Sequence, residues 1–180
     1  GKRVWGGMGG GGEGFRGGLV GGGRGGDWEL TSGGGNRIAG GGKSAKLTDM
    51  DADTVAACWN ENAAGWVALS REGYDKCRDL VNTPGFLAML PPVAGLDGLD
   101  LGCGEGTNTR HVARLGARMT GIDIAEGMLA GARESEQAEP LGINYRQASM
   151  DALPFDDGAF AFCLSTLAMM DCPNHPGALA

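Results

Sequence analysis

The chain has 180 residues, a formal net charge of −7 and a hydrophobic content of 42%. This length and composition are enough for one globular domain with an extension, and no run approaches the roughly 18 apolar residues of a membrane span. The acidic balance argues against nucleic acid as a general partner.

Residues 1–42 are rich in glycine, with isolated Arg, Trp and Phe and no apolar periodicity. Such a segment cannot bury enough surface to offset its ordering entropy, so we expect a disordered tail. Phe15-Arg16-Gly17-Gly18 and Arg24-Gly25-Gly26 resemble arginine–glycine segments that bind single-stranded RNA, which leaves RNA binding as an alternative. Two such segments do not form a repeat, and nearby acidic residues offset their positive charge. A flexible extension is therefore the preferred interpretation.

Residues 43–92 predict a helical lead-in before the first strand of a sheet. Asp53-Thr54 offers an N-cap, and the helix that follows runs towards Ser70 with Trp59 and Trp66 on one face. These aromatic side chains either pack in the core or line a ligand pocket, and both interpretations stay open.

Gly73 interrupts the helical pattern. A second helical piece is predicted from Tyr74 to Val81. Thr83 then offers an N-cap, with Pro84 at the first position of a further helix, because proline lacks the N–H that this position leaves unbonded. Pro91-Pro92 ends the lead-in.

The segment Gly98–Thr107 is a short apolar run that passes into alternating glycines, GLDLGCGEGT. It predicts a strand, a tight loop and a helix start, because glycine adopts backbone conformations closed to other residues and lets a ligand approach the main chain. Such a turn usually holds a nucleotide-like ligand at the helix N-terminus. Asp100, just before the first glycine, is unfavourable beside a pyrophosphate but suits a cationic ligand or an orienting hydrogen bond.

Strands and helices alternate after this loop, which predicts an α/β fold with a parallel sheet and a ligand at the carboxyl ends of its strands. The predicted helices and strands are Thr107–Leu115, Ala117–Asp123, Ala125–Ala138, Ile143–Ala148 and Phe160–Ser165. Asp123 ends the second strand about 20 residues beyond the glycines, where an acid can accept both hydroxyls of a ribose.

The sequence LDLGCGEGTNT, residues 99–109, resembles motif I of the class I S-adenosylmethionine-dependent methyltransferases. Residues 55–175 are similar to the small-molecule methyltransferases of the UbiE-like, methyltransferase type 11 group. The resemblance implies a Rossmann-like, doubly wound parallel sheet, S-adenosyl-L-methionine as cofactor and SN2 transfer of a methyl group to a small-molecule acceptor. In that family the sheet continues beyond the fourth strand, so we expect this chain, which starts at Gly1, to be a fragment.

The resemblance also implies which residues bind the cofactor. They lie in the glycine loop, at the strand ends and in the loop after the third strand: Asp100, Gly102, Cys103, Gly104, Gly106, Asp123, Ile124, Met128, Met150, Asp151 and Ser165. The glycines would face the methionine moiety, Asp123 the ribose and Ile124 the adenine ring. Met150 and Asp151 would read the adenine edge, with turn capping as the alternative for Asp151.

Catalytic residues are not assigned. Methyl transfer from a sulfonium needs mainly in-line positioning, which can supply roughly 7–11 kcal/mol, so a general base is optional. His111 falls in the helix after the glycine loop, where we expect a surface residue, and His175 lies near the end of the chain. Ala161 stands where related sequences commonly carry an acid.

A nucleotide-dependent oxidoreductase shares the predicted fold and the ribose acid, and is the first alternative function. It is disfavoured because the spacing is G-x-G-x-G in place of G-x-G-x-x-G and because Asp100 would lie next to the phosphates. RNA binding through the glycine-rich tail is the second alternative.

The predicted division of the chain is a glycine-rich tail (1–42), a helical lead-in (43–92) and the N-terminal part of a cofactor-binding domain (93–180). The cysteines are odd in number, scattered and without metal-ligand spacing: Cys58, Cys77, Cys103, Cys163 and Cys172. We therefore predict reduced thiols in a cytoplasmic protein and no metal site.

Overall fold

The computed structural model of the chain describes residues 17–21, 28–32 and 51–179. Gly17–Gly21 (β1) and Trp28–Ser32 (β2) pair as antiparallel strands. Residues with high strand propensity, such as Val20, Trp28 and Thr31, favour this pairing. We predicted disorder for all of residues 1–42, and the strand pair differs from that prediction. The rest of this stretch lies outside the described residues.

The sheet of the second unit, residues 47–180, has four parallel strands. They are β3 (Asp97–Leu101), β4 (Arg118–Asp123), β5 (Asn144–Gln147) and β6 (Phe162–Leu164). Their order is β5-β4-β3-β6, so the chain crosses to the other side of β3 only after β5. The predicted Rossmann-like parallel sheet is confirmed, and its topological switch point, where such sheets bind ligands, lies between β3 and β6.

Helices α3 (Thr107–Arg114) and α4 (Glu126–Ala138) connect the first three of these strands. Their side chains bury one face of the sheet, where Val112 and Leu129 are fully buried. The opposite face carries Leu99, Leu101 and Ile122, which pack against partly buried residues from the segment between β5 and β6: Ala148, Met150, Phe155 and Phe160.

The strand predicted over Phe160–Ser165 is shorter in the structure. Only the three residues of β6 pair with β3, and beyond them the Ser165 hydroxyl donates to the Leu101 carbonyl at 2.9 Å. A 3-10 turn, Met169–Asp171, and a short helix α5, His175–Ala178, follow β6.

The lead-in consists of helix α1 (Ala52–Arg71), a π-helical turn (Arg78–Asn82) and helix α2 (Thr83–Met89). The predicted N-cap at Asp53-Thr54 was wrong, because Asp51 caps α1 by accepting from the Thr54 N–H at 2.8 Å. Among the described residues, no helix has the length and apolar character needed to cross a membrane.

We predicted Thr83 as the N-cap of a separate helix, but the backbone is already helical before Thr83. Pro84 has no N–H and its ring clashes with the carbonyl four residues back in a regular α-helix. The wider hydrogen-bond pattern of the preceding π-helical turn accommodates the proline, so the helix continues through Asn82 and Thr83 without a break. The Thr83 hydroxyl instead donates to Asn108 Oδ1 at 3.2 Å.

Candidate ligand-binding cleft

The loop between β3 and α3 contains three glycines with positive φ, at +73° for Gly102, +56° for Gly104 and +86° for Gly106. Its entry is fixed by the N–H groups of Gly102 and Cys103, which both donate to the Ile122 carbonyl at 2.9 Å. A Cβ on Gly102 would lie 2.4 Å from the Cβ of Ala168. Both the backbone conformation and the close approach of the next segment therefore require glycine here.

Asp123, at the end of β4, binds the glycine loop through its side chain. One carboxylate oxygen accepts from the Gly104 N–H at 2.8 Å, and the other accepts from the Ala125 N–H at 2.9 Å. Burial raises the pKa of this carboxyl, while these backbone hydrogen bonds act in the opposite direction. Each oxygen has a second lone pair, so the carboxylate can still accept from a ligand.

Asp100 lies beneath the loop and is 1% exposed. One of its oxygens accepts from the Thr109 hydroxyl at 2.6 Å, and the other has no hydrogen-bond partner among the described residues. Burial raises the pKa of Asp100 to about 7, and the charges of Asp123 and Glu105 add to this effect. The acid thus binds helix α3 through Thr109, whereas a cationic ligand or an orienting hydrogen bond to the loop stays a prediction for Asp100.

A cleft of about 770 Å³ opens at the switch point, between the glycine loop, the carboxyl ends of the strands and the lead-in helices. Eight of the eleven predicted cofactor-binding residues line it: Gly102, Cys103, Gly104, Asp123, Ile124, Met128, Met150 and Ser165. Sequence positions as distant as 102 and 165 are therefore brought to one surface, because parallel strands end at the same edge of the sheet.

The other three predicted residues do not line the cleft. Asp100 is buried below the loop, and Gly106 is packed against the sheet, where an added Cβ would lie 2.4 Å from Tyr145 Oη. Asp151 accepts a hydrogen bond from the hydroxyl of Ser149. This contact joins two side chains, so it does not decide between turn capping and contact with adenine, and both stay predictions for Asp151.

The lead-in helices supply an apolar wall. Trp59 and Trp66 both line the cleft and meet edge to face, with ring centroids 5.7 Å apart and an interplanar angle of 88°. The two interpretations of these residues are thus compatible, because the rings pack on each other and face the ligand space. Val81, Phe86 and Met89 extend the apolar lining.

The charged lining is strongly acidic. Within the described residues it contains the carboxylates of Asp75, Glu105, Asp123 and Asp171 and a single cation, Arg78. Arg78 donates to Glu105 Oε1 at 3.3 Å. Such a surface favours a neutral or cationic ligand over one that carries several negative charges.

Sequence reasoning missed several residues of this site. Arg78 and Asp171 carry no local motif, because the fold alone brings them to the cleft. Glu105 offered a signal that was not used, since it is an acid placed between two glycines of the loop. His111, as expected, is not in the lining; burial and the nearby Arg114 lower its pKa.

Leu167 is the only residue other than glycine with positive φ, at +59°, among the described residues. It lines the cleft two residues beyond Ser165 and is 64% exposed. Left-handed backbone is unfavourable for leucine, and such conformations cluster at binding and active sites. The chain therefore holds strain where the segment after β6 passes the glycine loop.

Comparisons with known proteins agree with this arrangement of fold and cleft. Residues 99–180 match the model of the methyltransferase domain family. The chain is 36% identical over 108 residues to the malonyl–acyl-carrier-protein O-methyltransferase of Pectobacterium atrosepticum, a match that covers 59% of this chain and 41% of the relative. It is 41% identical over 91 residues to the demethylmenaquinone methyltransferase of Tropheryma whipplei, covering 51% and 37%.

Among solved structures, the cyclase SpnF superposes with a TM-score of 0.63 at 19% identity, covering 72% of this chain and 54% of that one. This likeness supports the fold alone. The resemblance to the methyltransferases that the glycine loop indicated is confirmed by the family match, and neither the oxidoreductase nor the RNA-binding alternative is supported. The chain spans less than half the length of these two curated relatives.

Proposed function

We propose that this chain binds S-adenosyl-L-methionine in the cleft and takes part in methyl transfer to a small, largely apolar acceptor. The observation that carries the proposal is the contact between Asp123 and the Gly104 amide at the switch point of the sheet. It joins the acid expected to bind a ribose to the loop expected to bind the amino-acid moiety.

The charge of the cleft supports this ligand. When bound, S-adenosyl-L-methionine supplies an activated methyl group on a positively charged sulfur. Four carboxylates and one guanidinium line the cleft, which favours a sulfonium over the two phosphates of a dinucleotide. A Cβ on Gly102 would lie 2.4 Å from the Cβ of Ala168, so glycine at this position lets the segment after β6 pack on the loop that borders the cleft.

The residues of the chain would act by binding and orientation. Asp123 would accept from the ribose hydroxyls, while Ile124 and Met150 would enclose the adenine with apolar contacts. The lead-in helices, through Trp59 and Trp66, would exclude water and hold the acceptor in line with the methyl group. Alignment of this kind accounts for much of the barrier lowering that such a transfer needs.

The acceptor is proposed from the apolar wall and from the relatives. One relative is named for a malonyl–acyl-carrier protein and another for demethylmenaquinone. The cytoplasmic location also remains a proposal, and it rests on five free thiols, two of them buried, which suit a reducing compartment.

Isothermal titration of the 180-residue chain with S-adenosylhomocysteine and, separately, with NAD tests the proposal. We expect saturable binding of one S-adenosylhomocysteine per chain and no binding of NAD. Saturable binding of NAD, or of neither ligand, would contradict the proposed cofactor.

A further inference from the structure

One ion pair connects the lead-in helices to the glycine loop in the described part of the chain. Arg78, in the π-helical turn, donates from Nη1 to Glu105 Oε1 at 3.3 Å. Both side chains are only 11% exposed, although both line the cleft. The pair therefore lies at the boundary between the ligand space and the protein interior.

Glu105 lies at the end of the glycine loop, just before helix α3 begins. It stands between Gly104, whose N–H is bound to Asp123, and Gly106, and its Oε1 also accepts from the Thr107 hydroxyl at 2.7 Å. The same oxygen thus fixes the first residue of α3 and receives the guanidinium. A change in its charge acts on the loop at the point where the ligand approaches the main chain.

Arg78 is held in place by the end of α1 and by two acids close to it in the sequence. Its Nη1 donates to Ser70 Oγ at 2.7 Å, and its Nε donates to Asp79 Oδ1 at 3.0 Å. Its backbone N–H donates to Asp75 Oδ1 at 2.9 Å. The guanidinium therefore cannot follow Glu105 if the loop moves. Both charges are largely buried. Loss of Arg78 leaves Glu105 without an ion-pair partner among the described residues, whereas loss of Glu105 leaves Arg78 paired with Asp79 alone.

We propose that the Arg78–Glu105 pair is a latch that holds the lead-in helices against the glycine loop and thereby slows release of a nucleoside ligand from the cleft. The inference rests on the proposed function, since it takes the cleft as the site of S-adenosylmethionine. Arg78 and Glu105 are positioning residues in this account: they set the loop and the wall, and they act through groups that contact the ligand. Loss of the pair loosens the wall of the occupied cleft, so we expect it to act mainly on the dissociation rate of the ligand.

The test measures dissociation of S-adenosylhomocysteine from the immobilised 180-residue chain by surface plasmon resonance. We expect Glu105→Gln and Arg78→Met each to raise the dissociation rate about tenfold with little change in the association rate. The double variant should release the ligand no faster than the single variants, because both remove the same interaction.

The matched control is the Arg71–Glu134 pair, which joins α1 to α4 at 2.8 Å with side chains 44% and 68% exposed. Arg71→Met and Glu134→Gln should leave the dissociation rate unchanged. A purely structural role of the latch would lower the melting temperature but leave release unchanged well below it, and that result would overturn the inference.

Glu105→Gln keeps the shape of the side chain and one acceptor oxygen but removes the charge, so it carries the test if Arg78→Met does not fold. Arg78→Lys keeps the positive charge but lacks the planar guanidinium group, and it should release the ligand more slowly than Arg78→Met. If the unchanged chain binds S-adenosylhomocysteine and the Glu105→Gln variant releases it at the same rate, the latch is contradicted but the proposed function is not. Absence of binding by the unchanged chain contradicts the proposed function and the latch together.

Discussion

The carboxylate of Asp123 accepts a hydrogen bond from the Gly104 amide at 2.8 Å, across 19 positions of sequence. Its second oxygen accepts from the Ala125 amide just before α4. One side chain thus joins the end of β4, the glycine loop and the next helix. Its loss affects the shape of the cleft as well as any contact with a ribose.

Replacement of Asp123 by alanine should weaken binding of S-adenosylmethionine at least tenfold. Hydrogen bonds to a charged group contribute about 1.5–3 kcal/mol each, and the Gly104 amide also loses its acceptor. Titration calorimetry measures the change. Asp97→Ala is the control, because this carboxylate is exposed, pairs with Arg118 and does not line the cleft; equal affinity of the Asp123 variant and this control would contradict the assignment.

Gly102→Ala should destabilise the chain more than Gly142→Ala. Both glycines have positive φ, at +73° and +76°, so each substitution costs about 1–2 kcal/mol for left-handed backbone. Only Gly102 also faces a clash, at 2.4 Å from Ala168 Cβ, whereas nothing lies within 4 Å of a Cβ on Gly142. Overpacking adds about 1–3 kcal/mol.

Urea unfolding of the two variants and the unchanged chain measures this difference. The Gly102 variant should also lose ligand binding, because Ala168 or the loop must move. Equal unfolding free energies for the two variants would show that the segment after β6 does not rest on the loop.

Asp100→Asn should change the pH dependence of stability. The folded chain keeps the proton of Asp100 up to about pH 7, whereas the unfolded chain releases it near pH 3.9. The stabilisation by this group is therefore complete below pH 4 and is lost as the pH rises through 7, by up to about 1.4 kcal/mol per pH unit.

Unfolding free energies of both proteins between pH 4 and pH 8 test this sign. The difference between the unchanged chain and Asp100→Asn should move in favour of the variant up to pH 7 and level off above it. Exposed acids whose pKa is lowered, such as Asp97 and Glu139, cancel because both proteins contain them. A difference that is constant with pH would contradict a buried, protonated Asp100.

Leu167→Gly should raise the unfolding free energy by about 1 kcal/mol. The leucine is largely exposed, so little burial is lost, and glycine adopts the φ of +59° without a steric penalty. Greater freedom of glycine in the unfolded chain offsets part of the gain. Leu179→Gly, at an exposed leucine with φ of −103°, is the control and should not stabilise the chain; a loss of stability in both variants would refute strain at Leu167.

The sequence was most informative where local pattern and tertiary structure agree. The glycines of the loop and Asp123 were recognised because their spacing is set by one βαβ unit, and the structure brings them together. The parallel order of the strands followed from the alternation of elements. The prediction for Asp100 singled out the acid but not its partner Thr109, the third residue of α3.

The remainder depends on contacts between distant segments. Arg78 lies at the start of a π-helical turn, and neither periodicity nor capping rules indicate this turn. The N-cap of α1 is Asp51 and not the predicted Asp53-Thr54. The prediction failed because three neighbouring acids could each cap this helix, and the local sequence does not show which one does. Asp171 enters the lining after a strand whose length was overestimated.

The central claim is that the glycine loop and the end of β4 form one nucleoside site. Amide chemical shifts of the isotope-labelled 180-residue chain, followed during titration with S-adenosylmethionine, test it most directly. The account predicts saturable shifts of the Gly102, Gly104 and Ala125 amides and no shift at Gly142, which lies outside the cleft. Unchanged loop amides at saturating ligand, or shifts confined to other surfaces, would contradict it.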